Sequence, residues 1–308
     1  MNNSISSEII IMKKRILLAF CLLETICMIS CNNEKEMNLK TDLPMSLTAS
    51  YAGLSRVSSE NMWEGNGTEQ ITVSDGENNI TYVIVNQMGD MQPANENNQL
   101  YWASATNPQT LTAWYPATED NKPYTSWSVQ KDQSGNGFQQ SDLMYTRTEV
   151  TMLGNRTLPF KHQTAKIIVH LQGDGETDNE LKDATIKIKN VVTEGSIKGD
   201  ILTAKEHTST SEIIPQKQPV PLDGYLISYA ALLIPQEIAG IDFLEIQTGN
   251  GNTYTYVPEG DDALFEGSQQ YIYYVTVGKP GISVVIEKEG LQWQQDGEDI
   301  IVNMTSNK

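Results

Sequence analysis

Short stretches of alternating apolar and polar residues, rich in β-branched and aromatic side chains, recur along most of the chain. Because side chains on a strand alternate between the two faces of a sheet, each stretch predicts a half-buried β-strand. No apolar pattern of helical period continues for more than about ten residues, so helices are predicted to be short or absent. The clearest predicted strands are 80–85, 111–115, 165–171, 184–191, 243–247 and 271–277.

Turn residues separate these strands at intervals of roughly eight to twelve residues, the spacing typical of β-sandwiches. Between Gln247 and Tyr254 the run Thr-Gly-Asn-Gly-Asn-Thr supplies the positive φ angles that a hairpin needs. The fold class is therefore predicted to be all-β. The length fits two sandwich domains better than one, and we expect an N-terminal domain over residues 45–162 and a C-terminal domain over residues 163–308.

The first 31 residues follow a different pattern, typical of an export signal. After Met12, which we take as the true start, the basic run Lys13–Arg15 precedes an apolar segment. That segment is interrupted at Glu24 and is too short to span a bilayer. We therefore interpret it as a signal rather than as part of the fold.

The signal ends in Met-Ile-Ser-Cys, and a small residue before a cysteine resembles the lipobox cut by the lipoprotein signal peptidase. Residues 1–31 then form a lipoprotein signal segment, and Cys31 becomes the N-terminus that carries palmitate-type acyl chains. Such chains contribute about 0.8 kcal/mol per buried CH₂, enough in combination to hold the protein on a membrane. Residues 32–44 are predicted to be a tether. Ordinary secretion without lipid is the alternative.

The composition argues against several partners and cofactors. With 39 acidic and 21 basic residues the net charge is −18, so no basic patch is expected for binding nucleic acid. The last of the three cysteines is Cys31, so the mature chain has no disulfide and no cysteine-based zinc site. We expect no metal and no cofactor. The alternating acidic run 174–180 could suit Ca²⁺, but it lacks the glycine of a calcium loop and is interpreted as a solvated loop.

Motifs for catalysis are missing from the sequence. There is neither a Gly-x-Ser-x-Gly nor a His-Glu-x-x-His, and the chain is predicted not to be an enzyme. The two catalytic carboxylates of a glycosidase are brought together by the fold and have no fixed spacing in the sequence. A secreted hydrolase therefore stays an alternative. The tryptophans are interpreted as sheet packing, with a glycan-binding surface as the alternative. They are Trp63, Trp102, Trp114, Trp127 and Trp293.

The chain from Asp142 onward resembles the fimbrillin family of Bacteroidales. The resemblance is carried by residues 142–145, 158–162 and 165–171, and by the closing residues 271–284 with Trp293. It implies two transthyretin-like β-sandwich domains in tandem, export as an outer-membrane lipoprotein at the cell surface, and assembly with other fimbrial subunits into a type V pilus.

The resemblance also implies how assembly is triggered. In that family a trypsin-like protease cuts after an arginine that follows the first strand, and the matching residue here is Arg56. The strand that such a cut would release carries Met45, Leu47, Ala49 and Tyr51 on one face. Arg56 as a plain loop arginine is the alternative.

A strand from another subunit could fill the groove left behind, because the exposed backbone groups and apolar track would be unpaired. The candidate donor strand is the tail, where Ile300, Val302 and Met304 share one face. A tail that only completes its own sheet is the alternative. We expect a structural or tip subunit of a fimbria that supports adhesion to a host or bacterial surface ligand; a monomeric glycan-binding surface lipoprotein is the competing hypothesis.

Replacing Cys31 by alanine should abolish acyl labelling and leave the precursor uncut, because the thiol is the site of lipid attachment. Metabolic labelling with a palmitate analogue, followed by measurement of precursor size, tests this. Normal labelling of the Cys31→Ala chain would contradict the assignment and make Cys27 the next candidate.

Overall fold

A computed structural model describes residues 42–51, 63–278, 281–289 and 300–303. Over these residues the fold is all-β, as predicted, and helix is limited to the single turns α1 (Gly137–Gln140) and α2 (Asp178–Leu181) and a 3₁₀ turn at Gly260–Ala263. Within the described ranges no helix is long and apolar enough to cross a membrane.

In chain order the strands are β1 (Thr48–Tyr51), β2 (Gln70–Ser74), β3 (Asn79–Ile84), β4 (Met91–Pro93), β5 (Gln109–Tyr115), β6 (Ser126–Ser128), β7 (Met144–Val150), β8 (Thr157–His162), β9 (Ala165–Gly173), β10 (Thr185–Val191), β11 (Glu194–Lys198), β12 (Ile201–Ala204), β13 (Ser211–Ile213), β14 (Gln216–Lys217), β15 (Ile227–Leu233), β16 (Gln236–Glu237), β17 (Leu244–Gln247), β18 (Thr253–Tyr256), β19 (Leu264–Phe265), β20 (Gln270–Gly278), β21 (Gly281–Glu289) and β22 (Ile300–Asn303). The predicted two-residue alternation of burial is clear in β3 and β9, whereas β15 is buried at every position.

One seven-stranded sheet, in the order β1-β8-β7-β5-β2-β3-β4, surrounds the first hydrophobic core. Its strands pair antiparallel except β1 and β8, which run parallel. The inward positions are fully buried, among them Ile71 and Tyr82 at 0% exposure. This core contains the side chains of the first strand, so it is complete only while that strand is present.

The second core lies between a six-stranded sheet, β14-β15-β9-β20-β21-β22, and a four-stranded sheet, β13-β10-β17-β18. Aromatic rings meet across it: the ring centroid of Tyr273 on β20 lies 5.7 Å from that of Tyr256 on β18. The smaller sheets β12-β11-β6 and β16-β19 complete the strand pairings.

The two cores do not divide cleanly along the sequence. Val129 and Leu143 precede residue 163, yet both pack in the second core, and β6 pairs with β11. Between β8 and β9 the chain turns at Gln163, whose N–H donates to Leu143 O at 2.7 Å. The division into domains over residues 45–162 and 163–308 stays a prediction.

The predicted strands and the predicted hairpin are confirmed. β17 and β18 pair from Leu244 opposite Tyr256 to Gln247 opposite Thr253. Gly251 in the connecting turn has φ +91°, a conformation that glycine adopts without strain. The local turn residues therefore determined this pairing, as expected for a short hairpin.

A buried side-chain amide extends the pairing of β15. Gln133, at 0% exposure, accepts a hydrogen bond from Leu232 N–H at 2.8 Å and donates Nε2–H to Leu232 O at 2.9 Å. The amide thus makes the two hydrogen bonds that the backbone of a neighbouring strand would make to Leu232. It also links the segment before β7 to the second core.

Replacing Gln133 by leucine should lower the free energy of unfolding by about 2–4 kcal/mol, because both backbone groups of Leu232 lose their partner in a buried place. Denaturant unfolding measures the loss. Gln140→Leu, at an exposed position of α1, is the control and should change stability little. Equal stability of the two variants would contradict the interpretation.

Candidate functional site

Residues 43–51, called here the first segment, lie against two separate edges of the seven-stranded sheet. On one side β1 pairs in parallel with β8, from Thr48 opposite Thr157 to Tyr51 opposite Phe160. Without β1 the backbone groups on this side of β8 would form an open sheet edge, which is the usual place for another strand to pair.

The opposite side of the first segment is bonded to the residues that lead into β4. Ala49 N–H donates to Gly89 O at 2.8 Å, and Met91 N–H donates to Leu47 O at 3.1 Å. These two bonds form an antiparallel bridge centred on Thr48. Since β4 is the far strand of the same sheet, the sheet closes on itself through the first segment.

Two further bonds hold the beginning of the first segment. Met45 N–H donates to Leu100 O at 2.9 Å, and Trp102 N–H donates to Leu43 O at 3.1 Å. The backbone of the segment is therefore bonded along most of its length. Its removal would leave unpaired donors and acceptors on both sides of one groove.

The side chains of the first segment alternate between core and surface. Met45, Leu47 and Ala49 are buried at 4%, 2% and 1% exposure, Ser46 is exposed, and Tyr51 is half-buried. This is the burial that a strand with one apolar face requires. The groove beneath the segment accordingly accommodates a row of apolar side chains.

Gly89 allows the closest approach between the groove and the first segment. Its φ is +83°, and a Cβ at this position would lie 1.9 Å from Ala49 O. The same oxygen accepts a hydrogen bond from Trp63 Nε1–H at 3.2 Å. The groove therefore fits the backbone of a strand tightly at the position of Ala49. The sequence analysis missed both Gly89 and Trp63, because only the fold brings them to the strand.

At its end the first segment enters a cleft of about 600 Å³. The Tyr51 ring stacks on Trp63 and on His162, with centroid distances of 4.9 and 5.6 Å. His162 Nδ1 lies 2.7 Å from Asp142 Oδ1. The cleft thus joins the first segment, β8 and the segment before β7. Glu64, Glu69 and Tyr115 also line it.

The cleft is electrostatically negative. Burial raises the pKa of Tyr115 to about 12, and the carboxylates of Asp142 and Glu69 add to that rise. Burial, followed by the charge of Asp142, also raises the pKa of Tyr51 well above its ordinary value. Both phenols are therefore neutral at physiological pH. An incoming group with a positive charge would be favoured here.

The other predicted site residues are only partly described. Ile300 and Val302 belong to β22, which pairs antiparallel with β21 at the edge of the six-stranded sheet. Cys31, Arg56 and Met304 lie outside the described residues. The lipidation, cleavage and donor roles of these residues remain predictions.

His170 and the acidic run 174–180, which was weighed for Ca²⁺ binding, make other contacts. His170 Nδ1 contacts Ser228 Oγ at 2.7 Å, and burial lowers the pKa of His170 to about 4. Asp174 Oδ1 accepts hydrogen bonds from Glu176 N–H and Thr177 N–H, so this carboxylate orders its own loop. Among the residues that the structure describes, no group of His, Cys, Asp and Glu side chains could hold a metal ion.

Most of the described tryptophans pack inside the protein. Trp63, Trp102 and Trp114 are each 2% exposed. Trp127 is half-buried and donates Nε1–H to Ser141 O at 3.0 Å. Trp293 lies outside the described residues. These positions agree with the interpretation as sheet packing.

Comparison with protein families matches residues 56–291 to the fimbrillin-like family. The match spans well over half of the chain, and the chain belongs to this family. The resemblance inferred from residues 142–171 and 271–293 is confirmed. No curated protein sequence matches the chain.

Solved structures with a similar fold come from Bacteroides and Porphyromonas species. A candidate cell adhesion protein from Bacteroides uniformis is 20% identical, with a TM-score of 0.64 over 80% of this chain and 98% of its own. One from Bacteroides ovatus is 22% identical, with a TM-score of 0.63 over 82% and 99%. The tip fimbrial protein Mfa3 from Porphyromonas gingivalis, truncated at its C-terminus, is 9% identical, with a TM-score of 0.50 over 82% and 99%. At these sequence identities the similarity shows a shared fold and nothing more.

Replacing Gly89 by alanine should loosen the first segment, because the new Cβ collides with Ala49 O in addition to straining the backbone. Gly76→Ala is a matched control: its φ is +94°, yet no atom lies within 4 Å of the added Cβ. The control should cost about 1–2 kcal/mol for its φ alone.

Hydrogen exchange at the Ala49 amide measures the difference. It should be faster in Gly89→Ala than in Gly76→Ala, which should leave this amide as protected as in the wild type. Equal protection in both variants would show that the close contact at Gly89 does not hold the segment.

Proposed function

We propose that this chain is a structural or tip subunit of a bacterial cell-surface fimbria of the type V pilus kind, assembled by strand exchange after proteolysis. The observation that carries the proposal is the first segment, which is bonded along both sides of one groove. It precedes Arg56 in the sequence, so a cut after Arg56 would separate it covalently from the rest of the protein.

Before the cut, the tether should keep the groove closed. The buried side chains of Met45 and Leu47 contribute about 1.5–3 kcal/mol each, and a donor strand with similar side chains would gain a similar amount. The native strand occupies the groove rather than a donor strand because its covalent link gives it an effective concentration around millimolar. After the cut this advantage is lost, and a strand from another subunit can compete.

The tail is the proposed donor. In the described chain β22 pairs only with β21, at the outer edge of the six-stranded sheet. A groove with two pairing edges offers a strand more backbone hydrogen bonds than one edge does. Ile300, Val302 and Met304 would supply the apolar face.

The protein would act outside the cell. A lipid on Cys31 would hold the precursor on the outer membrane, residues 32–44 would be its tether, and a trypsin-like protease would release it for assembly with other fimbrial subunits. Two tandem transthyretin-like domains would form the body of each subunit, and a host or bacterial surface ligand would be the target of adhesion. The competing glycan-binding hypothesis relied on exposed tryptophans, and three of the four described ones are buried.

Incubating the mature chain with a trypsin-like protease should produce one discrete cut followed by polymers that dissociate on heating. Arg56→Ala should block both the cut and the polymers while leaving the fold intact. Gel electrophoresis without boiling measures both steps. Polymers formed by the uncut Arg56→Ala chain would contradict the proposed switch.

Two variants of the tail separate cutting from assembly. Val302→Asp should be cut normally but fail to polymerise, because burying an unpaired charge costs several kcal/mol. Asn303→Asp, on the opposite face of the strand, is the matched control and should polymerise better. Normal polymers from Val302→Asp would exclude the tail as the donor.

A further inference from the structure

Aromatic rings line much of the cleft at the end of the first segment. Its volume of about 600 Å³ lies in the range of small-molecule sites, which combine apolar walls with a few polar groups. The Trp63 ring stacks on Tyr51, and its centroid lies 5.6 Å from that of Tyr115 at an interplanar angle of 72°. The half-buried ring of Phe138, from α1, adds to the lining. The cleft therefore presents an ordered aromatic wall.

Negative charge is concentrated beside these rings. Among the described residues, the cleft is lined by the carboxylates of Glu64, Glu69 and Asp142 and by neither lysine nor arginine. His162 Nδ1 lies 2.7 Å from Asp142 Oδ1 and so engages that one carboxylate. After burial, all three carboxylates raise the pKa of the Tyr115 hydroxyl. Their charges therefore act on one region of the cleft.

The two glutamates accept hydrogen bonds from neutral donors. Asn66 Nδ2–H donates to Glu64 Oε2 at 2.8 Å, and Gly65 N–H donates to Glu69 Oε2 at 2.9 Å. Neither bond neutralises the charge of its carboxylate. The net charge of −18 on the whole chain adds a long-range field that attracts cations. A positively charged ligand would relieve the repulsion among the carboxylates.

A metal ion is a poor match for this cleft. Among the residues that the structure describes, no group of His, Cys, Asp and Glu side chains could hold one. An alkylammonium or guanidinium group, by contrast, is carried on a hydrocarbon stem that packs along apolar surface, and its charge is attracted to the faces of aromatic rings. Such a ligand can use the rings and the carboxylates together.

We infer that the cleft binds an organic cation, through an alkylammonium or guanidinium group and the hydrocarbon stem that carries it, between the first segment and the rest of the protein. A free amine and a basic side chain of another protein both offer this chemistry. The site belongs to the intact chain, so the inference is independent of the proposed strand exchange.

The position of the site couples the ligand to the first segment. Tyr51 belongs to that segment, whereas Trp63, Glu69 and Tyr115 belong to the rest of the protein. A ligand that contacts both sides binds best while the segment is in place, and it stabilises this state by a factor that grows with its concentration relative to Kd. The cation would therefore hold the first segment in its groove.

Two probes represent the two sources of the cation. Cadaverine, a linear diamine, stands for free amines, and Nα-acetyl-lysine methylamide stands for a basic side chain. Titration calorimetry of the uncut chain should show binding at one site per chain, and the tighter of the two probes identifies the source. Failure of both probes to bind overturns the inference.

Two further titrations separate the contributions of charge and stem. Pentanediol has the carbon stem of cadaverine without its charge, and magnesium chloride supplies a double positive charge without a stem. Each should bind at least tenfold more weakly than the tighter amine probe, because the inferred site needs both features. Equal affinity for pentanediol or for magnesium overturns the inference.

Variants of the glutamates test the location of the site. Glu64→Gln/Glu69→Gln should weaken binding of the tighter probe at least tenfold, because it removes two charges while glutamine keeps an oxygen that can accept the same hydrogen bonds. The matched control, Glu77→Gln/Glu149→Gln, removes two charges at exposed positions outside the lining and should change the affinity less than twofold. Equal affinities of the two double variants overturn the assignment to this cleft.

Hydrogen exchange at the Ala49 amide shows whether the ligand reaches the first segment. With the tighter probe at about ten times its Kd, linkage allows a slowing of about tenfold, and we expect at least threefold in the wild type. The same probe concentration should change the exchange less than twofold in Glu64→Gln/Glu69→Gln. Unchanged exchange in the wild type, despite binding, overturns the placement of the ligand between the first segment and the rest of the protein.

Discussion

The structure depends on the requirement that the two sides of a strand be hydrogen-bonded where water is excluded. In the seven-stranded sheet the backbone of β8 and the residues that lead into β4 both meet this requirement through the first segment. Three buried side chains of that segment complete the first core, and Gly89 permits the approach that makes the fit tight. One short stretch near the beginning of the chain therefore closes the sheet and fills the core, and a substitute strand in its place could do both.

The first segment also connects to the junction between the two cores. Tyr51 stacks on His162, the last residue of β8, and His162 contacts Asp142, which precedes β7. On the far side of the turn, Ser268 N–H donates to Thr164 O at 3.1 Å. Tyr115 of the seven-stranded sheet and Gln216 of the six-stranded sheet both line the cleft, so both sheets contribute to it. Replacement of the first segment would therefore change the lining of this cleft.

Much of the fold was predictable from local pattern. The alternation in 165–171 and 271–277 predicted β9 and β20, and the Gly-Asn-Gly run predicted the hairpin of β17 and β18, since turn chemistry and side-chain period act over a few residues. The packing of Val129 and Leu143 in the second core was not predictable, because both lie within the stretch assigned to the first domain. The same holds for Gln133, a polar residue whose buried amide is hydrogen-bonded to Leu232, about a hundred positions later in the chain. Pairings at such separations have no local signature.

The sequence by itself determined that the chain is all-β and that Met45, Leu47 and Ala49 share one face, because these follow from residue types and their spacing. The relation to the fimbrillins was visible only as a resemblance of short motifs, such as residues 158–162. Only the tertiary structure decided what that face packs against. It brought β8, Gly89 and Leu100 to opposite sides of the first segment, buried Ala49 in the first core, and placed Tyr51 near the carboxylate of Asp142. A groove is made of parts that are distant in the sequence, and its width and charge are set by how the backbone closes around them.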